Sequence, residues 1–147
     1  MKVYIAAPYA EAVCVRTTVF SMIRDAGLDP IASWAVEADG EKENLLAIDE
    51  ERARARWKRN RWELVAADAL LVVARDGSGG EMFAETELAR AMTLPIFWTG
   101  RLTLSAFQPE VRVRAPGHND GIAIAIRHIA DYARRSAANV VPIEPKL

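Results

Sequence analysis

The stretch "DALLVVA", residues 68–74, decides the fold, because it is a continuous apolar run of strand length. Such runs form central parallel strands that are covered on both faces. Antiparallel strands with one solvent-exposed face instead alternate apolar and polar residues. Parallel strands need crossover connections, which are usually helical, and helical patterns flank this run on both sides. We therefore predict an α/β fold built around residues 68–74.

Further elements are predicted on both sides of this run. The remaining strand candidates are residues 2–8, 29–34 and 95–98, with a possible short strand at 111–113, and the helix candidates are 11–27, 45–66, 81–94 and 122–137. The alternation of strands and helices predicts one doubly wound, mainly parallel sheet flanked by helices, a Rossmann- or flavodoxin-like three-layer sandwich. We expect one domain over residues 1–138 and a tail over 139–147.

The composition is that of a single soluble domain, since 147 residues with 51% hydrophobic and 27% charged side chains can bury a core. A net charge of -1 argues against binding a nucleic-acid polymer by bulk electrostatics. No stretch approaches the roughly 18 apolar residues of a membrane span, and Glu11 interrupts the short apolar run at the N-terminus. We therefore expect neither a nucleic-acid polymer nor a membrane as partner.

Cysteine and histidine content narrows the chemistry further. The single Cys14 cannot form an internal disulfide and gives no evidence for an oxidising compartment. Because the sequence predicts neither a signal peptide nor a membrane span, a cytoplasmic protein is the default expectation. His118 and His128 lie far apart, with no cysteine or histidine at the spacing of metal ligands. We predict no metal site and no cofactor.

The segment "GSGGEMFAETELARAM", residues 77–92, carries three glutamates that separate when it is wound as a helix. Glu87 falls on the polar side with Thr86 and Arg90, and Glu81 falls in the first turn, where the helix dipole favours an acid. Glu85 falls in the arc of apolar side chains, which are Met82, Ala84, Leu88, Ala89, Ala91 and Met92. A carboxylate there is either paired with a basic residue or held for chemistry.

The loops that follow the strands are the expected place for a ligand, because ligands of open α/β sheets bind beyond the carboxyl ends of the strands. Three segments end there: 7–10, the residues after Trp34, and 75–80. The glycines of "DGSGG", residues 76–80, lead into a helix N-terminus that could hold a phosphate or a sugar hydroxyl. A plain flexible turn explains the same residues equally well.

Three motifs occur together: "VYIAAPY" at residues 3–9, "NRWELVAADALLVVARDGSGG" at 60–80 and "EMFAETELARAMTLPIFW" at 81–98. Over roughly residues 3–100 the chain resembles the nucleoside 2-deoxyribosyltransferase family, which also includes nucleoside and nucleotide N-glycoside hydrolases. The resemblance implies that Glu85 is the catalytic glutamate, that Tyr4 lies beside it, and that Asp68 is the acid at the start of the central strand. Asp68, Asp76 or Glu81 would give a proton to the departing base.

The resemblance also implies a substrate, namely a nucleoside or nucleoside monophosphate whose sugar passes to water or to another base. Asn60 stands where the transferases carry an aspartate that contacts the nucleobase, which favours hydrolysis. The residues expected to bind substrate are Ala6, Pro8, Trp34, Asn60, Asp76, Ser78, Gly79, Gly80 and Glu81. Members of the family form oligomers whose neighbours complete the site, so a homo-oligomer is expected.

Two other functions remain open from the sequence. One is a non-catalytic nucleotide-binding or sensing module that uses the same crevice, with Glu85 bonded to a ribose. The other is a structural subunit that assembles through "RLTLSAF", residues 101–107.

Overall fold

The computed structural model describes residues 1–37, 50–74, 80–100, 111–113 and 118–138. Within these ranges the chain forms an all-parallel sheet of five strands in the order β2-β1-β3-β4-β5. The strands are β1 (Lys2–Ala6), β2 (Asp29–Ile31), β3 (Ala69–Val73), β4 (Ile96–Thr99) and β5 (Val111–Val113). The predicted doubly wound α/β fold is confirmed, including the short strand at 111–113.

The apolar run that predicted the fold is the middle strand of the sheet. All five residues of β3 are buried, and β3 pairs with β1 on one side and with β4 on the other. The register places Tyr4 opposite Leu70 and Leu70 opposite Ile96. Helices cover both faces of a strand in this position, which explains the absence of polar alternation in its sequence.

The first helical segment is a composite rather than one regular helix. A 3-10 turn (Tyr9–Glu11) leads into α1 (Ala12–Cys14), a π-helical stretch (Val15–Val19) and α2 (Phe20–Asp25). Gly27 ends it with a φ of 75°, and the Leu28 amide donates to the Ile23 carbonyl oxygen at 3.1 Å. This is the glycine-terminated helix end that the sequence predicts.

The other helices are α3 (Ser33–Glu37), α4 (Glu50–Val65), α5 (Gly80–Ala91) and α6 (His118–Ala138). α2 packs against α6, whereas α4 contacts both α3 and α5. α5 is shorter than predicted because Thr93 takes a φ of 57° and the Leu94 amide donates back to the Ala89 carbonyl oxygen. α6 begins four residues earlier than predicted, at His118. Residues 45–49 of the predicted long helix and the tail 139–147 lie outside the described ranges.

The strand order creates a crevice between β1 and β3. The chain leaves β1 toward β2 on one side, and every later strand is added on the other side. Connections therefore diverge at the carboxyl ends of β1 and β3, which is where open α/β sheets bind ligands. None of the helices in the described part of the chain is long and apolar enough to cross a membrane.

Gly100 has no room for a side chain where β4 ends. Its φ is 90°, and an added Cβ would lie 1.8 Å from the Ala74 carbonyl oxygen at the end of β3. Gly27 also has a positive φ, of 75°, but nothing lies within 4 Å of its added Cβ.

We predict that Gly100→Ala lowers the free energy of unfolding by at least about 3 kcal/mol, because backbone strain adds to a clash with main chain that cannot move alone. Gly27→Ala, the matched control, should cost only the strain, about 1–2 kcal/mol. Chemical denaturation of both variants measures the difference. Equal losses would contradict the close approach of the two strand ends.

Candidate active site

A buried hydrogen bond joins the sheet to α5. Tyr4 lies on β1 and Glu85 lies in the middle of α5, and the Tyr4 hydroxyl donates to Glu85 Oε1 over an O···O distance of 2.6 Å. Tyr4 is fully buried, and Glu85 is 5% exposed. A distance this short is typical of a hydroxyl that donates to an ionised carboxylate. The structure thus brings two of the predicted catalytic residues into direct contact.

The buried face of α5 is narrower than the apolar arc predicted from the sequence. Ala84 and Ala91 are exposed, whereas Thr86, assigned to the polar side, is fully buried. The Thr86 hydroxyl donates to the Met82 carbonyl oxygen at 2.7 Å, so its polar atom is satisfied within the helix. Glu85 keeps its place on the buried face, beside Met82 and Ala89.

Glu87 and Glu85 occupy opposite environments although they are two residues apart. Glu87 is exposed and forms an ion pair with Arg90, with 3.0 Å between Oε2 and Nη2. This is the surface i, i+3 pair expected on the outer side of a helix.

Burial raises the pKa of Glu85 from 4.5 to about 7, because the site removes water from the charged form. The hydrogen bond from Tyr4 opposes this effect, and so does a hydrogen bond from the Asn60 side chain, since both favour the anion. The negative charges of Glu81 and Glu63 raise the pKa further. Burial and the charge of Glu85 raise the pKa of Tyr4, which remains a hydrogen-bond donor.

A small cavity of about 20 Å³ lies against Glu85 at the carboxyl end of the sheet. It is lined by Ala7, Tyr9, Trp34, Arg56, Asn60, Glu81 and Glu85. Four of these residues, Trp34, Asn60, Glu81 and Glu85, were predicted from the sequence to contribute to the site. The cavity therefore brings together side chains from α3, α4 and α5.

Trp34 reaches the cavity from a helix, and its prediction as the end of a strand was wrong. β2 stops at Ile31, and Trp34 lies in α3, where it is 5% exposed. Its indole Nε1 donates to the Ile5 carbonyl oxygen at 3.0 Å, and its ring lies 6.4 Å from the ring of Tyr9. The turn into α3 allows the indole to pack over the end of β1, which an extended chain along the sheet edge would not allow.

Asp68 lies at the amino ends of the strands, whereas Glu85 lines the cavity at their carboxyl ends. This position corrects the prediction that Asp68 is a catalytic residue. It precedes β3, and its Oδ2 accepts a hydrogen bond from the Lys2 amide at 2.7 Å. Asp68 precedes β3, whereas Glu85 lines a cavity with Ala7 and Tyr9, which follow the carboxyl end of β1. Asp68 instead borders a larger cavity of about 750 Å³, together with Leu28 and Tyr132. Its observed role is to tie the start of β3 to the start of β1.

The other predicted residues are only partly described. Ala6 ends β1 and is fully buried, and the Pro8 carbonyl oxygen accepts from the Glu11 amide at 2.8 Å. Gly80 is the first residue of α5. Asp76, Ser78 and Gly79 lie outside the described residues.

Arg56 and Glu63 were missed from the sequence, whereas Tyr9 lies in segment 7–10, which was predicted to border the ligand. The Arg56 guanidinium lies 5.4 Å from the centre of the Tyr9 ring, and Glu63 Oε2 accepts from the Ser33 amide at 3.1 Å. Arg56, Asn60 and Glu63 follow the i, i+4, i+7 spacing of one helical face. That spacing could have indicated that these three side chains share one face of α4. It was not recognised because charged residues lie on every side of the helix. The described ranges contain no group of three histidine, cysteine, aspartate or glutamate side chains placed to hold a metal ion.

We predict that Tyr4→Phe raises the pKa of Glu85 further above 7, because the variant loses the hydrogen bond that favours the anion. At pH 8 the free energy of unfolding of the variant should be about 1–3 kcal/mol lower than that of the wild-type protein, because an ionised Oε1 is left unpaired. The loss should shrink at pH 5, where the carboxyl group is protonated. Carboxyl ¹³C titration and denaturation at both pH values measure these effects.

The control is Tyr132→Phe on α6, whose ring packs edge-on against Phe97 at 6.0 Å. It should show no pH-dependent loss. A loss for Tyr4→Phe that is the same at pH 5 and pH 8 would contradict an interaction with an ionised Glu85.

Comparison with solved structures finds the same fold in a 2-deoxyribosyltransferase from Bacillus psychrosaccharolyticus, with a TM-score of 0.57 and 13% sequence identity. The match covers 82% of this chain and 89% of that one. A conserved protein from Enterococcus faecalis V583 matches with a TM-score of 0.55 and 13% identity, over 92% and 98% of the two chains. No protein-family model and no curated protein matches the sequence. The chain thus has a nucleoside 2-deoxyribosyltransferase-like fold.

Proposed function

We propose that this protein cleaves the N-glycosidic bond of a nucleoside or nucleoside monophosphate, with Glu85 as the nucleophile. The observation that carries the proposal is the buried Tyr4–Glu85 hydrogen bond at the carboxyl end of the sheet. A carboxylate held there, with its pKa near 7, is placed and tuned for chemistry at neutral pH. The fold shared with a 2-deoxyribosyltransferase supports a glycosyl-transfer reaction.

In the first step, the ionised Glu85 attacks C1′ of the sugar on the face opposite the base. A bond forms between a carboxylate oxygen and C1′ while the C1′–N bond breaks, and the electron pair of that bond leaves with the base. The Tyr4 hydroxyl fixes the carboxylate through Oε1, which leaves Oε2 for the attack. The product is a glycosyl ester of Glu85.

The departing base needs a proton, and Glu81 is the best-placed donor among the described residues. It lies one turn before Glu85, lines the same cavity and is exposed to solvent. Of the other predicted donors, Asp68 lies at the amino ends of the strands, away from the cavity, and Asp76 is outside the described residues. Each of the two carboxyl groups then has a separate role, as in retaining glycosidases.

Water then attacks the ester at C1′ and releases the sugar, with its proton passing to Glu81. Transfer to a second base would follow the same path with a base nitrogen as the attacking group. We favour hydrolysis because Asn60 stands where the resemblance places an aspartate that contacts the nucleobase in transferases.

We predict that Glu85→Gln reduces base release at least about 10³-fold, since the amide cannot act as a nucleophile. Glu87→Gln, two residues away on the exposed face, should retain nearly full activity and is the matched control. The assay is chromatography of products from a panel of nucleosides and nucleoside monophosphates, with and without a second free base. The added base also separates hydrolysis from base exchange.

Equal activity of the two variants would remove Glu85 from the mechanism. Tight binding of a nucleotide that is never cleaved would instead favour a non-catalytic binding or sensing module. Calorimetry with the same panel measures that outcome.

We also propose that the protein forms a homo-oligomer and that it acts in the cytoplasm. Within the described ranges, three of the five exposed large apolar side chains, Trp57, Trp62 and Val65, lie on the outer face of α4. The inner side of the same helix carries Asn60 of the cavity, so a second copy docked on α4 would lie next to the site.

We predict that Trp62→Gln shifts the protein toward the monomer, because Trp62 is 67% exposed and tryptophan often dominates interface energy. Size-exclusion chromatography with light scattering measures the mass. Val13→Gln, at a 48% exposed position away from α4, is the control and should leave the mass unchanged. A wild-type protein that is monomeric at all concentrations would contradict the proposal.

A further inference from the structure

A carboxylate on α4 holds the start of α3. Glu63 Oε2 accepts a hydrogen bond from the backbone amide of Ser33 over a distance of 3.1 Å. Ser33 is the first residue of α3, and the amides of the first turn of a helix have no partner within that helix. Both residues are half-buried, so little water competes for this amide. The neighbouring helix thus supplies the acceptor that the start of α3 needs.

Trp34 is the next residue in α3, and its position depends on where this helix begins. Its indole is 5% exposed and donates from Nε1 to the Ile5 carbonyl oxygen at 3.0 Å. The same side chain lines the cavity that contains Glu85. A shift of the first turn of α3 would move the indole relative to β1, because the amide bonded to Glu63 belongs to the residue directly before it.

The other end of α3 is held by a more exposed contact. Arg59 Nη2 on α4 lies 2.7 Å from Glu37 Oε2, and the two side chains are 37% and 51% exposed. Exposed ion pairs contribute little to stability. The contact at Glu63 is therefore the one that we expect to fix α3, and Glu37 provides a matched control.

The charge of Glu63 also acts on the carboxyl group of Glu85. Burial is the main cause of the raised pKa of Glu85, and the negative charges of Glu81 and Glu63 raise this pKa further. The titratable and charged side chains around Glu85 are Tyr4, Tyr9, Arg56, Glu63 and Glu81. Glu63 thus has two separable properties, an acceptor oxygen for α3 and a charge near the site.

We propose that Glu63 is a positioning residue for the candidate active site: it holds the first turn of α3 and thereby keeps the Trp34 indole in the wall of the Glu85 cavity. Glu63 is not among the described residues that line this cavity, so it acts through Trp34 rather than on a ligand. The expected effect on rate rests on the proposed reaction, whereas the position of Trp34 can be measured without a substrate.

Two conservative variants separate the acceptor oxygen from the charge. Glu63→Gln keeps an acceptor oxygen at the same reach and loses the charge. Glu63→Asp keeps the charge but is shorter by one carbon–carbon bond, about 1.5 Å, so its carboxylate no longer reaches the Ser33 amide. Glu37→Gln, at the exposed end of α3, is the control.

Three measurements are made on each full-length variant after thermal unfolding has shown that it is folded. Hydrogen exchange of the Trp34 indole N–H, followed by NMR and assigned by its loss in Trp34→Phe, reports the hold on the indole. Carboxyl ¹³C titration gives the pKa of Glu85. The pH dependence of kcat/KM for base release gives the effect on the reaction.

We expect the Trp34 indole N–H to exchange at least about tenfold faster in Glu63→Asp than in the wild-type protein, and kcat/KM to fall about tenfold. In Glu63→Gln and Glu37→Gln the exchange rate should stay within about threefold of the wild-type rate. In Glu63→Gln the pKa of Glu85 should fall, because a charge that raises it is lost. The rate, which rises as Glu85 ionises, should then begin to rise at lower pH.

Unchanged indole exchange in Glu63→Asp would overturn the inference. So would equally fast exchange in Glu63→Gln, which retains the acceptor, or faster exchange in Glu63→Asp with kcat/KM unchanged. If the wild-type protein cleaves no nucleoside, the proposed reaction fails, while faster exchange in Glu63→Asp alone still supports the hold of Glu63 on Trp34.

Discussion

The hydrogen bond between Tyr4 and Glu85 is the interaction on which the candidate site depends. A carboxylate on the buried face of a helix is unfavourable unless a donor meets it, and the donor here comes from β1, near the centre of the sheet. The bond therefore fixes the rotation of α5 relative to the sheet. A helix rotated by one residue, or about 100°, would direct Glu85 away from Tyr4.

The fold and the burial of Glu85 could be predicted from the sequence because both depend on local periodicity. An apolar run without alternation indicated the central strand, and helical spacing by itself separated Glu85 from Glu87. Both features follow from which side chains lie on one face of one element. The family resemblance pointed to Glu85 and Tyr4 as well, and the structure brings these two side chains together.

Other features depend on distances between elements, which periodicity does not contain. Asp68 was assigned to the site by the family resemblance, but in the structure it accepts a hydrogen bond from the Lys2 amide at the amino ends of the strands. Trp34 looked like the end of a strand because "IASW" is apolar, yet the residue packs from a short helix. Arg56 and Glu63 were hidden among the many charges of α4, and only packing distinguishes the inner side of that helix from its solvated side.

The pKa of Glu85 has a thermodynamic consequence for any ligand that requires the anion. Because burial raises the pKa to about 7, a fraction of the molecules carries a proton on this carboxyl group at neutral pH. A ligand that pairs with the carboxylate must release that proton, so binding is linked to proton release, and its measured enthalpy depends on the ionisation heat of the buffer. Each pH unit below the pKa of this group then weakens the binding of such a ligand by about tenfold. Because Glu85 is buried and has lost its hydration, the fraction of sites that hold such a ligand depends on pH.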